Sequence, residues 1–202
     1  MTMIIVGSLV LGVLCGYFLL PNGLPYLSLL TDGALALLLF TVGFDLAQGD
    51  DLGQKIKDLP KIALAVPFLV ALGSLCGSLV GTLFLDLPLG EGVLVGAGLG
   101  WYSLSAVIIA QSYDVTIGAL ALLANVFREV LAILLIPLIA RKLGPLPAIA
   151  PGGATTMDVT LPIISQSTDT QTTLVAFYSG TVLTALIPFL VPLVIKLLQL
   201  LS

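Results

Sequence analysis

Six apolar stretches of near-membrane length dominate this chain: residues 3–20, 24–44, 62–85, 89–110, 116–140 and 172–198. Only 9% of the 202 residues are charged and 58% are hydrophobic, against about a quarter charged in an ordinary soluble domain. Lipid leaves no water to satisfy peptide groups, so such stretches fold as helices that close their own hydrogen bonds. The chain has room for six or seven spans of roughly 20 residues each and almost none for an extramembrane domain. The expected fold class is an all-α polytopic membrane protein of six to seven transmembrane helices, with one or two broken or re-entrant segments. Residues 1–202 form a single transmembrane domain in this reading, with breaks near 98–105 and 151–162.

One segment does not fit a plain span. Gly144 to Ser167 reads GPLPAIAPGGATTMDVTLPIISQS and holds a single acid, Asp158. A carboxylate at bilayer depth is costly unless it faces protein, water or a cation. Non-helical backbone there must be buried by protein or line a cavity. Pro151-Gly152-Gly153 has little helical preference, and Pro162 lacks an amide donor and so frees a carbonyl near Asp158. A half-helix end would offer an ion or zwitterion unpaired backbone groups and a dipole, with Thr155 and Thr156 beside it. The plainer reading is a turn outside the bilayer, with Asp158 an ordinary helix cap.

A second patch, Gly98-Leu99-Gly100-Trp101-Tyr102-Ser103-Leu104-Ser105, has glycines and serines where an interface would have charge. Trp101 and Tyr102 either mark the membrane interface or belong to a second broken helix with Ser103 and Ser105 facing a substrate. In the latter case a ring face could hold an ammonium, worth about 1–2 kcal/mol when desolvated. Asn125, Arg128 and Glu129 lie mid-span. Asn125 shares a helix face with each of the other two, whereas Arg128 and Glu129 are adjacent and must find separate partners. Arg128 holds a carboxylate of substrate or protein, or all three form a structural network. Asp32, in Thr31-Asp32-Gly33, is a cap or a cavity carboxylate. Asp45 suits a vestibule or loop.

Orientation follows from the basic residues. Lys55, Lys57 and Lys61 and the pair Arg141-Lys142 should all be cytoplasmic. Three full spans between those loops would put Arg141 outside. Either residues 89–112 break and return to their starting side, or they cross and the two-residue signal at Arg141 loses. The first is slightly favoured, and the count leaves both open.

The chain contains no His, which removes the commonest metal ligand and the side chain best placed to titrate near neutrality. A net charge of −4 offers no basic surface for nucleic acid. No nucleotide-binding motif, metal cluster or Ser–base pair is visible, so a membrane transporter is expected and an enzyme is not. No cofactor is expected. Cys15 and Cys76 sit in apolar, Gly-rich stretches and read as small packing residues. Residue 3 opens an apolar run without a basic flank or a clear cleavage site, so it reads as a retained span.

The pairing of GLGWYSLS at 98–105 with GGATTMDVTLPI at 152–163 resembles the lysine exporter family LysO. NVFREVLAILLIPLIARKLG at 125–144 and LLLFTVGFDL at 37–46 fit its pattern as well. The resemblance implies secondary-active export of L-lysine and close analogues across the cell membrane by proton antiport, with sodium left open as the coupling ion. It implies that Asp158 and Asp32 are intramembrane acids and that Arg128-Glu129 is the family's RE pair. Longer members carry roughly another hundred residues of membrane sequence before the matched part, so a small membrane subunit or a homodimer is an expected partner. An inverted-repeat fold with crossing broken helices is expected by analogy. The alternatives are a carrier for an organic anion using Arg128 and helix N-termini, and a non-transporting subunit of a larger transporter.

Overall fold

In this computed structural model, residues 61–201 are described apart from Asp86. Within the first 52 residues the description covers 7, 11, 12, 14–16, 18, 26, 29, 33, 34, 37, 40, 41 and 44. The chain divides into two units, Met1–Leu52 and Gly53–Ser202. In the first, the described residues between 7 and 18 and between 29 and 44 are helical, and the rings of Phe40 and Phe44 stack at 6.2 Å. Asp32 and Asp45 lie outside the described residues, as do Lys55 and Lys57.

The described residues of the second unit are built into helices joined by turns, without a strand among them. Its long helices are α1 (Ile62–Thr82), α4 (Val115–Leu143) and α6 (Thr170–Leu201). Each contains a stretch long and apolar enough to cross a membrane, with mean hydropathy between 2.1 and 2.2. The chain is thus a helical membrane protein. Between the long helices lie shorter pieces: α2 (Leu89–Gly96), α3 (Tyr102–Ser112) and α5 (Leu161–Ser167), with 3-10 turns at Leu146–Ile149 and Gly153–Met157.

Local chemistry sets the ends. Asp114 caps α4, its Oδ1 accepting the Thr116 and Ile117 amides at 2.7 and 3.0 Å. Arg141 and Lys142 close α4 where its carbonyls gather negative charge, and Gly144 takes the positive φ of 99° that ends it.

The short helices make two hairpins. In the first, α2 runs antiparallel to α1: Gly92 packs on Thr82, and four residues later Gly96 packs on Ser78 and the Ser74 carbonyl. Gly90, at the start of α2, packs against Leu198 of α6. Ser112, at the end of α3, accepts a bond from Gln199 Nε2 at 3.3 Å. Both ends of the α2–α3 hairpin therefore lie beside the C-terminal end of α6.

The second hairpin enters from the other end. After α4 closes at Leu143, the chain returns along it until Ala150 and Pro151 reach Arg128 in mid-helix. The 3-10 turn at Gly153–Met157 packs on Gly180, ten residues into α6, and α5 then leads back to the α6 N-terminus. Leu94, Leu99, Ile109, Leu183, Ile187 and Val191 form a fully buried core around the first hairpin. Large apolar residues such as Phe68, Phe127, Phe177 and Phe189 are at least half exposed, as a lipid-facing surface requires.

Candidate functional site

The two hairpin tips meet at the middle of α4. The Ala154 amide donates to the Leu99 carbonyl at 2.9 Å, joining them backbone to backbone. Leu99 and Gly100 have φ of 48° and 104°, and Gly153 has φ of 60°. A Cβ on Gly153 would strike the Leu99 carbonyl and the Arg128 guanidinium, so only glycine gives both the turn and the approach. Every amide of the first tip has an acceptor: Ala97 bonds Val93, Gly98 bonds Val95, Leu99 bonds Gly96 and Trp101 bonds Gly98. The remaining one, Gly100, donates to Asn125 Oδ1 at 2.8 Å.

Asn125 therefore holds the first tip. Its Nδ2 also donates to the carbonyls of Ala121 at 2.8 Å and Val95 at 3.3 Å. Arg128, one turn on, holds the second. Its Nε donates to Pro151 O at 3.0 Å, its Nη2 to Ala150 O at 3.3 Å, and its Nη1 to Ser74 Oγ at 2.8 Å. Asn125 and Arg128 share a helix face, yet each reaches a different hairpin. None of these guanidinium bonds goes to a carboxylate.

Glu129 and Asp158 stand where α4 meets the tips. Both are half-buried, and the Asp158 charge acts on Glu129, while both carboxylates act on the Tyr102 hydroxyl. Glu129 Oε2 is out of solvent and has no hydrogen-bond partner among the described residues. Asp158 Oδ1 accepts the Val159 amide at 2.6 Å. Asp158 ends the 3-10 turn, three residues before α5, and the Leu161 amide bonds its carbonyl at 3.2 Å. Ser103 is exposed at the start of α3, and Trp101 is half-buried against the core.

Several polar candidates are committed to backbone. Ser105 is buried and donates to the Trp101 carbonyl at 2.8 Å. Thr155 donates to Gly152 O at 2.9 Å, and Thr156 to Gly153 O and Ala176 O at 2.8 and 2.9 Å. The Ser105 hydroxyl braces the first hairpin and the two threonine hydroxyls brace the second tip, whose short turns leave carbonyls without helical partners.

Three residues outside the sequence reading join them. Ser74 of α1 meets Arg128, Thr160 lies 3.3 Å from Thr155 Oγ1, and Ser179 of α6 is fully buried with an unbonded hydroxyl. Small polar residues beside glycine in apolar spans, as in Gly73-Ser74 and Ser179-Gly180, are the signal that could have marked two of them.

Two carboxylates and a tyrosine at a junction of broken helices can bind an ammonium, or take up and release a proton. The α3 N-terminus beside them has no side-chain cap. Among the described residues no His/Cys/Asp/Glu group could hold a metal ion.

The profile of the family described as lysine exporter LysO matches residues 6–195. The chain is 33% identical to the lysine exporter LysO of Escherichia coli over 184 residues, which is 89% of this chain and 60% of that protein. It therefore spans well under two thirds of that relative's length. It is 35% identical to a putative lysine exporter of Haemophilus influenzae over 190 residues, covering 93% of this chain and 92% of the relative. No solved structure matches. With a match running nearly end to end, through both hairpins and α4, the chain belongs to the lysine exporter LysO family.

Proposed function

We propose that this chain exports L-lysine and close analogues across the cell membrane, as a multi-pass secondary transporter exchanging the cation for protons. The observation that carries the reading is the buried, unbonded Glu129 Oε2, in the middle of α4 where the two hairpin tips meet. A carboxylate oxygen in that position lacks a donor, which a lysine ammonium or a proton supplies. The names of both relatives support the same cargo. Glu129 and Asp158 bind the side-chain ammonium or the coupling protons, in alternation. Tyr102, Ser103 and the free amides at the start of α3 receive the α-amino and carboxylate groups. Arg128, Asn125, Ser105, Thr155 and Thr156 hold the hairpins, and Trp101 closes the first tip against the core.

The basic residues support one orientation of the chain in the membrane. Lys61 precedes α1, and Arg141 and Lys142 close α4 at the same end of the bundle. That end is cytoplasmic by the positive-inside rule. The α2–α3 hairpin then enters from outside and the second hairpin from the cytoplasm, and residues 89–112 return to the side they came from.

The test is reconstitution of the chain alone in proteoliposomes, following radiolabelled lysine under an imposed pH gradient. We expect gradient-driven movement in the wild type. Asp158→Asn should abolish it, and Glu129→Gln should leave a folded protein without proton coupling. Movement driven by sodium at equal pH would replace the proton with sodium. Folded wild type that moves no lysine would reject self-sufficient export, and recovery on adding a second membrane polypeptide would assign this chain as one subunit.

A further inference from the structure

Arg128 and Ser74 form a relay between the hairpins. The guanidinium gathers the Ala150 and Pro151 carbonyls of the second hairpin and donates through Nη1 to Ser74 Oγ on α1. Ser74 Oγ in turn donates at 3.3 Å to the carbonyl of Gly96, the last residue of α2 in the first hairpin. A continuous run of hydrogen bonds therefore passes from one hairpin to the other through α1. It stands apart from the direct Ala154–Leu99 backbone bond at the tips. Nothing in the sequence reading gave Ser74 a part.

The relay borders a cavity of about 660 Å³ lined by α1 and the incoming arm of the second hairpin, including Val66, Gly73, Leu146 and Pro147. Ser74 and Arg128 supply the polar groups on an otherwise apolar wall. A guanidinium beside that wall repels a lysine cation, so the cavity is a poor cargo route. It does leave α1 room to shift against the hairpin. Because Arg128 spends a donor on α1, any such shift pulls on Ala150 and Pro151, seven or eight residues before Asp158.

We propose that Ser74 and Arg128 are positioning residues that tie α1 to both hairpins and thereby set where Asp158 stands relative to Glu129, and that Arg128 does not contact the cargo. The proposal deepens the lysine-export reading and rests on it. A misplaced site loses turnover, and a lost cargo contact loses affinity.

The experiment compares Ser74→Ala, Ser74→Thr and Arg128→Lys in proteoliposomes, with lysine and with 1,5-diaminopentane, which lacks the carboxylate. Ser74→Ala removes only the hydroxyl, and the adjoining cavity gives the extra methyl of Ser74→Thr room. Ser74→Ala and Arg128→Lys should lower Vmax for lysine about tenfold or more with KM nearly unchanged, since small displacements are costly to turnover. Ser74→Thr should restore it, and the preference for lysine over the diamine should persist in every variant. A raised KM at unchanged Vmax, or loss of that preference in Arg128→Lys, would make Arg128 a cargo ligand and overturn the proposal. Ser74→Ala indistinguishable from wild type would overturn it too. Should the wild type move no lysine, the transport reading fails and amide hydrogen exchange decides the relay. Ala154 should then exchange about tenfold faster in Ser74→Ala while Ile136 in α4 is unchanged, as local opening requires; equal Ala154 rates would reject it.

Discussion

Asn125 illustrates how a single buried amide can define a backbone turn. With 3% of its surface exposed, it accepts the Gly100 amide and donates to Val95 and Ala121. Its three bonds bind one end of a broken helix to the next residue that needs a partner. Removing it leaves the Gly100 N–H orphaned and out of water. Asn125→Ala should therefore cost about 1–3 kcal/mol, the penalty for an unsatisfied buried donor. Reversible unfolding in mixed micelles would measure it, and a change within 0.5 kcal/mol, the ordinary surface range, would show that another group takes over the amide. Asp158 is a different kind of residue. Its carboxylate accepts local backbone amides alone in the described contacts, so it ties no distant part of the fold together, as the proposed role in the site requires.

At the scale of elements, α6 begins on Asp169, whose carboxylate accepts the Thr172 amide at 2.8 Å and the Thr172 hydroxyl at 3.0 Å. Burial pushes this carboxyl up, and the bonds from Thr172 outweigh it and hold it below its ordinary value of 3.8. A depressed value means the cap stabilises the fold fully above pH 3.8 and loses that contribution as pH falls through the lower, folded-state value. Asp169→Asn should be less stable than wild type at neutral pH, and the difference should shrink in acid. Unfolding midpoints at pH 7 and in the acid range check this, and a gap that widens in acid would contradict it.

The long elements were legible in the sequence because apolar composition marks a membrane helix directly. The stretches at 62–85, 116–140 and 172–198 became α1, α4 and α6. Their ends were less so. Apolar Leu83 to Leu85 fall in a turn, while α4 runs on through Arg141 and Lys142, because composition carries no record of which carbonyls lack partners. At the site, Gly and Pro clusters point to Asp158 and Tyr102 through the backbone they permit. The partners of Arg128 were not legible. Its contacts lie 22 to 54 residues away, two of them are carbonyls that every residue possesses, and the third is a serine among many.

For the whole molecule, two hairpins entering from opposite ends give the proposed orientation a test at two sites. With Lys61, Arg141 and Lys142 cytoplasmic, Ser112 and the C-terminal end of α6 face outward, and Ser167 faces the cytoplasm. In a chain with Cys15 and Cys76 replaced by serine, Ser112→Cys should react with a membrane-impermeant thiol reagent on intact cells. Ser167→Cys should react only after the cells are opened. The reverse pattern would invert the molecule, and both sites reacting from one face would mean that residues 89–112 or 144–168 traverse the bilayer.

The crossing of the tips also dictates an order of synthesis. The Gly100 amide waits for Asn125, made 25 residues later, and the Leu99 carbonyl waits for Ala154. Until those residues leave the ribosome, the bend at 97–101 carries peptide groups that lipid cannot satisfy. The translocon therefore cannot release residues 89–112 into the bilayer as a finished piece. It must keep them in a wet or protein-lined setting until both Asn125 and Ala154 have been made, so that a truncation between Ser112 and Ala154 leaves the bend without at least one of its partners.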